Sequence, residues 1–501
     1  MSRGSVYAFL LVAIIVIEAG IAAELVVHRP VTQSEAITNT TITNYTTPTG
    51  IPFTLATTPY AAQPSPTQSI TQAAQPQSAK YITIGVAAPL TSPVGASILN
   101  GTILGVQVVN SHGGVIINGT HYFFRVVAED NQGENVQAPP STAVEAVEKL
   151  VYQDGAQFII GGSAGNSAAE EAVESILPYL KTIYLEVGDA TTAETLNVAA
   201  NPSAYKYFFR VFPPNSSMLG TYLLEFFGAL KYYSQNGLED VPNVTNVGIL
   251  AEDAAWTQPI MTANGGGPMS GELPQDLENI LGYNVVYSSF FPLTTTDFTP
   301  YLQQMATLHV QLIVTLMATD DSIYFVKQWG TFPWPNGKPL VAGINVLAGL
   351  QPGYWNATDG LASSVISLGA IPPVSIIDQY FPENFSGQQY AYSFNITEAY
   401  DDSVKEFGVP PFYTGLGSLS AVFVLANAIQ RAQSLNTDKV IVALEKTDLL
   451  TPEGIVRFTS DHDLNAANIP IYWAQWHSNG QIYPIWSYLY PSKIFFFEPP
   501  S

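Results

Sequence analysis

A chain of 501 residues, 47% hydrophobic, is too long for a single core and supports two or three packed domains. Only 11% of it is charged, with 17 Lys and Arg against 40 Asp and Glu for a net charge of −23, which leaves no electrostatic footprint for nucleic acid or for an anionic membrane surface. Cysteine is absent, which excludes disulfides, thiolate catalysis, Cys-ligated metal and a lipid-bearing N-terminal Cys. Polar surface then comes from Ser, Thr, Asn, Gln and Tyr, as expected of an extracellular protein in an acidic habitat.

The chain opens with Arg3 before an apolar run from Val6 to Ile17, broken by Glu18 and resumed to Val27. Twelve apolar residues are short for a membrane span, which needs about 20, and right for the core of an export signal. Cleavage near Ala22 or Ala23 would free the body. The opening Met1-Ser2-Arg3-Gly4-Ser5 also resembles an archaeal pilin-type signal, cut after Arg-Gly with the apolar helix retained. Residues 1–27 are therefore a signal peptide or a retained anchor. From Pro30 to Ala79 the chain is rich in Thr, Ser, Pro, Gln and Ala with one charge, Glu35. Such a segment cannot offset its ordering entropy by burial and reads as a stalk over 28–80. A flexible tether of this length reaches about 40 Å and is useful only if its base is held, which favours retention. The sequons at Asn39, Asn44, Asn100, Asn118, Asn215, Asn243, Asn356, Asn384 and Asn395 fit an exported glycoprotein.

From Tyr81 strands and helices alternate. Tyr81–Val86 predicts a strand, Ser97–Asn110 a helix, Tyr122–Ala128 a strand ending on Glu129-Asp130, and Thr142–Tyr152 a helix. The stretch Phe158–Leu180 (FIIGGSAGNSAAEEAVESILPYL) follows: an apolar strand stops at Gly161-Gly162, a small-residue turn intervenes, and Ser167 with Glu170 forms an S-x-x-E box that starts a helix. The free amides and positive end of such a helix, beside the Ser163 hydroxyl, suit an anion such as a ligand carboxylate. Ile183–Val187 and Tyr207–Phe212 close a first set, ended by Pro213-Pro214. A second set runs from a helix at Leu219–Tyr233 through strands at Val247–Ala251, Asn284–Tyr287, Leu312–Leu316 and Leu340–Ala342, with helices between. Beyond Gly343 helices are predicted at Thr397–Phe407, Ser418–Gln433 and Lys439–Leu444, then β segments at Ile455–Thr459 and Ile471–Ile482, the latter turning at Ser478-Asn479-Gly480. Strands alternating with helices of this length imply parallel βαβ units, so the fold class is α/β with two lobes.

Several local patterns in a fixed order carry a resemblance. They are Ile82-Thr83-Ile84-Gly85-Val86 with Pro89-Leu90 and the Gly95 loop; Asn110 with Gly113-Gly114-Val115; Glu129-Asp130; Asp154-Gly155; Gly162-Ser163 with Asn166-Ser167; Gly188–Thr191; Phe209-Arg210; and Val247–Ala251 before Glu252-Asp253. Together they resemble the leucine/isoleucine/valine-binding family of ABC-transporter solute receptors, a type I periplasmic-binding-protein fold, from about Tyr81 to the last strand. The resemblance implies two Rossmann-like lobes, 81–210 with 343–455 and 211–342 with 456–501, joined by three crossovers near Arg210, Gly343 and Glu453–Arg457 and closing on ligand by hinge bending. It further implies that Ser163, Ser167, Ala190 and Thr191 hold a ligand's carboxylate and ammonium, that Trp256 is an aromatic wall, and that Asp321, or Asp320 beside it, pairs with the ammonium. Val94 sits where a larger aromatic is common. Asn264–Gly267 with Pro268 reads as an insertion.

Plainer readings accompany these. Asp320-Asp321 fits an N-cap pair for a helix over Ser322–Trp329, Trp256 a packing residue, and Thr191 and Ser163 turn formers. Gly161, Ser163 and Gly165 also spell the G-x-S-x-G elbow of serine hydrolases, with His112-Gly113-Gly114 upstream and His462 and His477 late in the chain. Against a hydrolase, Val115 breaks the HGGG motif and the elbow falls early in its set of strands. With scattered histidines and no phosphate loop, neither metal nor cofactor is expected. The resemblance implies an exported receptor that takes a branched-chain or other hydrophobic amino acid, or a similar small amide, to a membrane permease. A sensing ectodomain and a surface hydrolase are the alternatives.

Overall fold

The computed structural model describes residues 79–135, 138–162, 166–237, 241–262, 272–349, 353–369, 384–385, 388–487 and 497–500. The N-terminal run and stalk, Ser163 and the Asn264–Pro268 insertion lie outside them. Among the described residues no helix is long and apolar enough to cross a membrane.

The first lobe is built on a six-stranded sheet in the order β2-β3-β1-β4-β5-β6. Its strands are β1 (Lys80–Ala88), β2 (Val115–Ile117), β3 (Thr120–Asp130), β4 (Phe158–Gly161), β5 (Ile183–Glu186) and β6 (Phe208–Arg210). All pairings are parallel except the edge pair β2–β3. The uninterrupted burial of β4, β5 and β6 matches their near-continuous apolar sequences and a sheet covered on both faces. The helices between them are α1 (Pro93–Ser111), α2 (Ser141–Tyr152), α3 (Ser167–Leu180) and α4 (Ala193–Ala200).

Two local details depart from the expected pattern. The cap of α3 is Asn166, whose side chain accepts from the Ala169 amide at 3.3 Å, so Ser167 is the first helical residue. Glu170, expected to close a capping box, instead accepts the Tyr184 hydroxyl at 2.9 Å inside the lobe. At α1, Ser92 caps the Gly95 amide at 3.1 Å, with Pro93 at the first helical position where its missing N–H costs nothing.

The second lobe carries a seven-stranded mixed sheet, β17-β16-β11-β10-β9-β7-β8. Its parallel strands are β7 (Asn246–Glu252), β8 (Asn284–Phe291), β9 (Leu312–Met317), β10 (Leu340–Asn345) and β11 (Ile366–Gly369). The longer intervening helices are α5 (Ser216–Gln235), α6 (Leu273–Asn279), α7 (Thr299–Thr307) and α8 (Asp321–Thr331). Because β11 hydrogen-bonds to β10, the chain stays in this lobe through Gly369 rather than leaving it near Gly343.

The first lobe is then completed by α9 (Ile396–Phe407), α10 (Tyr413–Ala432) and α11 (Thr437–Leu444). Two small antiparallel pairs accompany them, β12 (Asn384–Phe385) with β13 (Gln388–Gln389) and β14 (Leu449–Thr451) with β15 (Gly454–Val456). Helix α10 is buried along most of its length and packs on α1 at close range. Gly101 makes this possible: a Cβ there would stand 1.9 Å from the Gly415 carbonyl oxygen. After β15 the chain returns to add β16 (Tyr472–Trp476) and β17 (Ile482–Ser487), an antiparallel pair on the outer edge of the second sheet. Trp473 of β16 stacks on Phe226 of α5 at 3.9 Å and anchors that pair to the core.

Candidate functional site

A cavity of about 140 Å³ lies between the two sheets, at the carboxyl ends of their parallel strands. That is where open α/β sheets place ligands, because the loops leaving successive strands diverge there. The first lobe contributes Gly188, Asp189 and Ala190 after β5, the Phe212-Pro213-Pro214 crossing after β6, Tyr400 of α9, and Pro410–Tyr413 leading into α10. The second lobe faces them with Leu219, Trp256, Ala318, Ile344, Val346 and Ser367–Gly369 of β11, among others. The walls are aromatic and aliphatic. Asp189 is the acidic lining residue, and no Lys, Arg or His lines the cavity among the described residues.

The loop after β5 is held on several sides, mostly by its own lobe. The Glu186 carboxyl, at the end of β5, accepts from the Gly188 and Asp189 amides at 2.5 and 2.6 Å. The Thr191 amide donates to Asp189 Oδ1 at 2.7 Å. The Tyr413 hydroxyl donates to the Gly188 carbonyl at 3.3 Å, and the Ser216 amide and hydroxyl both donate to the Ala190 carbonyl, at 2.6 and 2.7 Å. The Arg210 guanidinium donates to the carbonyls of Asp189 and Thr191.

Arg210 is fully buried and joins several parts of the molecule. It donates to Glu194 of α4 at 2.8 Å and to Asp463 at 2.9 Å, while its own amide donates to the His462 carbonyl at 3.0 Å. The strand that leaves the first lobe is thereby tied to the segment that later crosses between lobes. Around this one cation the lobe buries Glu170, Glu174, Glu186, Asp189 and Glu194. Burial, followed by the charge of Glu170, holds Glu186 well above the ordinary carboxylate range. Burial pushes Glu174 up to about 8, opposed by the Asn197 amide that hydrogen-bonds to it. Burial likewise raises Asp189, opposed first by the Thr191 amide and then by the charge of Arg210.

The second lobe repeats the device. Glu252, at the end of β7, accepts from the Ala318 and Thr319 amides at 2.7 and 3.1 Å, and its other oxygen accepts Trp256 Nε1 at 3.1 Å. Asp321 opposes Glu252, and burial followed by the Glu252 charge raises it well above its ordinary value. Both Asp321 oxygens are buried without a hydrogen-bond partner of good geometry among the described residues, and the Glu252 charge beside them disfavours ionisation of both acids together.

The residues expected to bind ligand fall in different places. Ala190 and Trp256 line the cavity. Ser167 and Thr191 are buried behind it, both against Asp189. Asp321, 2% exposed, is turned to Glu252 and is not a lining residue, while Asp320 is exposed at the N-cap of α8 and makes no cap hydrogen bond. Val94 packs behind the wall on Phe412, its carbonyl accepting the Thr414 hydroxyl at 3.0 Å. Sequence reasoning did not single out Asp189, although it lies in the quoted Gly188–Thr191 segment. The Pro213-Pro214 pair, read from sequence only as the end of the first set, lines the cavity, as does Pro410-Pro411, which the sequence did not mark.

The late histidines have structural partners. His462 stacks on Phe209 at 3.9 Å, with Nδ1 on the Phe208 carbonyl at 2.9 Å and Nε2 3.4 Å from Glu445. His477 pairs with Glu498 at 3.3 Å, and His112 Nδ1 meets the Val108 carbonyl at 2.9 Å.

Two α/β lobes with an apolar cavity at their facing strand ends define a bilobed binding protein. A family model for periplasmic binding proteins matches residues 81–481, and the chain belongs to that family. Among solved structures, the chain is similar to a putative branched-chain amino acid ABC transporter protein from Silicibacter pomeroyi, at 17% identity and TM-score 0.63 over 84% of this chain and 100% of that one. It is also similar to the branched-chain amino acid transporter substrate-binding protein LivJ from Streptococcus pneumoniae in complex with isoleucine (16% identity, TM-score 0.59, 80% and 98% covered). A third is a solute-binding protein of an ABC transporter from Rhodopseudomonas palustris in complex with p-hydroxybenzoic acid (17% identity, TM-score 0.60, 84% and 98% covered).

Proposed function

We propose that this protein is the extracytoplasmic receptor of an ABC transporter, capturing a hydrophobic amino acid or a similar small amide between its lobes and delivering it to a membrane permease. The observation that carries this reading is the small cavity itself, walled by Phe212, Trp256, Tyr400, Phe412 and Tyr413 with one acid among them. A mostly apolar cleft with few polar groups is the usual form of a small-molecule site. Neighbours of the same fold are in complex with isoleucine or p-hydroxybenzoic acid, small molecules that combine an apolar part with polar groups. The ligand residues proposed from sequence are Ser163, Ser167, Ala190, Thr191, Trp256 and Asp321, with Val94 and Asp320 as further candidates. Of these, the lining positions of Ala190 and Trp256 support a direct contact.

The apolar run of 1–27 followed by the 28–80 stalk supports a retained anchor that holds the receptor at the outer face of the cytoplasmic membrane. Intact-mass analysis of the native protein tests this: a mature N-terminus near Ala23 or Glu24 would exclude it. Glycosylation is proposed for the exposed sequons such as Asn118, Asn243 and Asn356. Asn215 and Asn395 are poorer acceptors, because their side chains cap α5 and α9 and Asn215 Nδ2 also donates to Asp463 at 2.6 Å.

A thermal-shift screen across amino acids, amides and short peptides tests the capture reading. A ligand that binds only the folded state raises stability by RT ln(1 + [L]/Kd). Binding without turnover of any ester is the expected result, and turnover lost in Ser163→Ala would replace this reading with hydrolysis.

A further inference from the structure

Most of the backbone amides in the loops that face the cavity after β5 and β9 are already engaged. The amides of Gly188 and Asp189 go to Glu186 and that of Thr191 to Asp189, and in the facing lobe those of Ala318 and Thr319 go to Glu252. The carbonyls of 188–191 are equally occupied, by Tyr413, Arg210 and Ser216. Arg210, the cation closest to this loop by these bonds, is 0% exposed and spends its donors on Asp463, Glu194 and two carbonyls. A ligand carboxylate entering at this loop therefore meets amides of Gly188, Asp189 and Thr191 that are already engaged, and one acid.

That acid is Asp189, 3% exposed and a lining residue. Its Oδ1 is fixed by the Thr191 amide, and Oδ2 has no hydrogen-bond partner of good geometry among the described residues, although the Ser167 side chain approaches the carboxyl. The rings of Phe212, Trp256, Tyr400 and Tyr413 complete the lining, and aromatic faces add attraction for a cation. Asp321, the acid that the family resemblance sets against an ammonium, is 2% exposed and does not line the cavity.

Resting on the capture reading, we infer that Asp189 is the specificity-determining residue of this cavity: it selects a ligand whose polar end is an amine or a hydrogen-bond-donating amide, and it holds that end in the first lobe. The acid partner of the amine is thereby in the first lobe, where the family resemblance set Asp321 or Asp320 of the second lobe against the ammonium. A buried carboxylate gains a charge-assisted bond from an ammonium and repels a carboxylate at the same point.

Four probes of matched apolar body separate the ends: 3-methylbutylamine, leucinamide, leucine and 4-methylpentanoate, each measured by thermal shift and calorimetry on the full chain and on Asp189→Asn. The expected result is binding of the amine and the amide, none of 4-methylpentanoate, and a loss of roughly 10- to 100-fold in amine affinity in Asp189→Asn, the span of a charge-assisted bond. A second measurement needs no variant. Amine binding to the natural protein should tighten as pH rises through the titration of Asp189, because only the ionised acid attracts the cation. Binding of 4-methylpentanoate as tight as that of the amine, amine binding untouched by Asp189→Asn, or amine binding independent of pH overturns the inference and leaves the capture reading standing. No shift with any of the four overturns the inference; if the wider screen is blank as well, the capture reading falls with it.

Discussion

The first lobe should lose stability as pH rises, opposite to the usual behaviour of a protein whose carboxylates are paired. Glu174 is buried with Glu170 and Glu171 nearby, hydrogen-bonded by Asn197, and shares the distant charge of Arg210 with several other acids. Its carboxyl moves from an ordinary 4.5 to about 8 on folding. Between those values the folded chain keeps a proton that the unfolded chain has released, so stability is full below pH 4.5 and falls until about pH 8. At ~1.4 kcal/mol per decade of proton affinity, this one group costs up to about 5 kcal/mol across the window. Glu134, raised by burial from 4.5 to about 7 despite its bond to Ser92, costs up to about 3 kcal/mol more by the same reasoning. Urea unfolding followed by tryptophan fluorescence at a series of pH values measures the slope directly. Glu174→Gln keeps a partner for Asn197 and removes the titration, so it should flatten the slope by about one proton and stabilise the fold most near pH 8. A stability that is level or rising from pH 4.5 to 8, or a slope unchanged in Glu174→Gln, would refute the reasoning.

Other expectations follow from single contacts. Arg210→Met takes the guanidinium from Glu194, Asp463 and two loop carbonyls, and should cost about 3–5 kcal/mol in urea unfolding at neutral pH. Gly101→Val drives a side chain into the Gly415 carbonyl and should destabilise by at least about 1–3 kcal/mol, seen as a lower Tm, by parting α1 from α10. Trp256→Phe removes both the bond to Glu252 and the indole at the cavity wall, so ligand-dependent fluorescence change should largely vanish while the fold persists. Asp321→Asn should change the affinity of any captured solute by less than about threefold, because Asp321 does not line the cavity.

The α/β plan was legible because the apolar runs at β1, β4, β5, β7, β9 and β10 are near-continuous and separated by helix-length amphipathic segments. The hairpin β16–β17 was marked by Ser478-Asn479-Gly480, with Gly480 at φ +75° where only glycine is unstrained. Strand β11 was missed because four residues closing on Gly369 carry no period of their own; β10 and β16 on either side define it. The cap of α3 shifted by one because Asn166 and Ser167 are both good caps and only the fold decides which one reaches the Ala169 amide. The site was half legible. Ala190 and Trp256 follow strands and could be placed, whereas the turn of Asp321 toward Glu252 joins residues 69 positions apart and leaves no mark in the sequence. The same holds for Pro213 and Pro411, which meet at one cavity from well-separated parts of the chain.

The most direct test is a crystal structure of the full chain grown with the strongest stabilising solute from the screen. Density for that solute between Asp189 and Trp256, with its apolar part against Phe212 and Tyr413, is the predicted result. A solute bound outside the space between the two sheets, with this cavity filled only by water, would contradict the account.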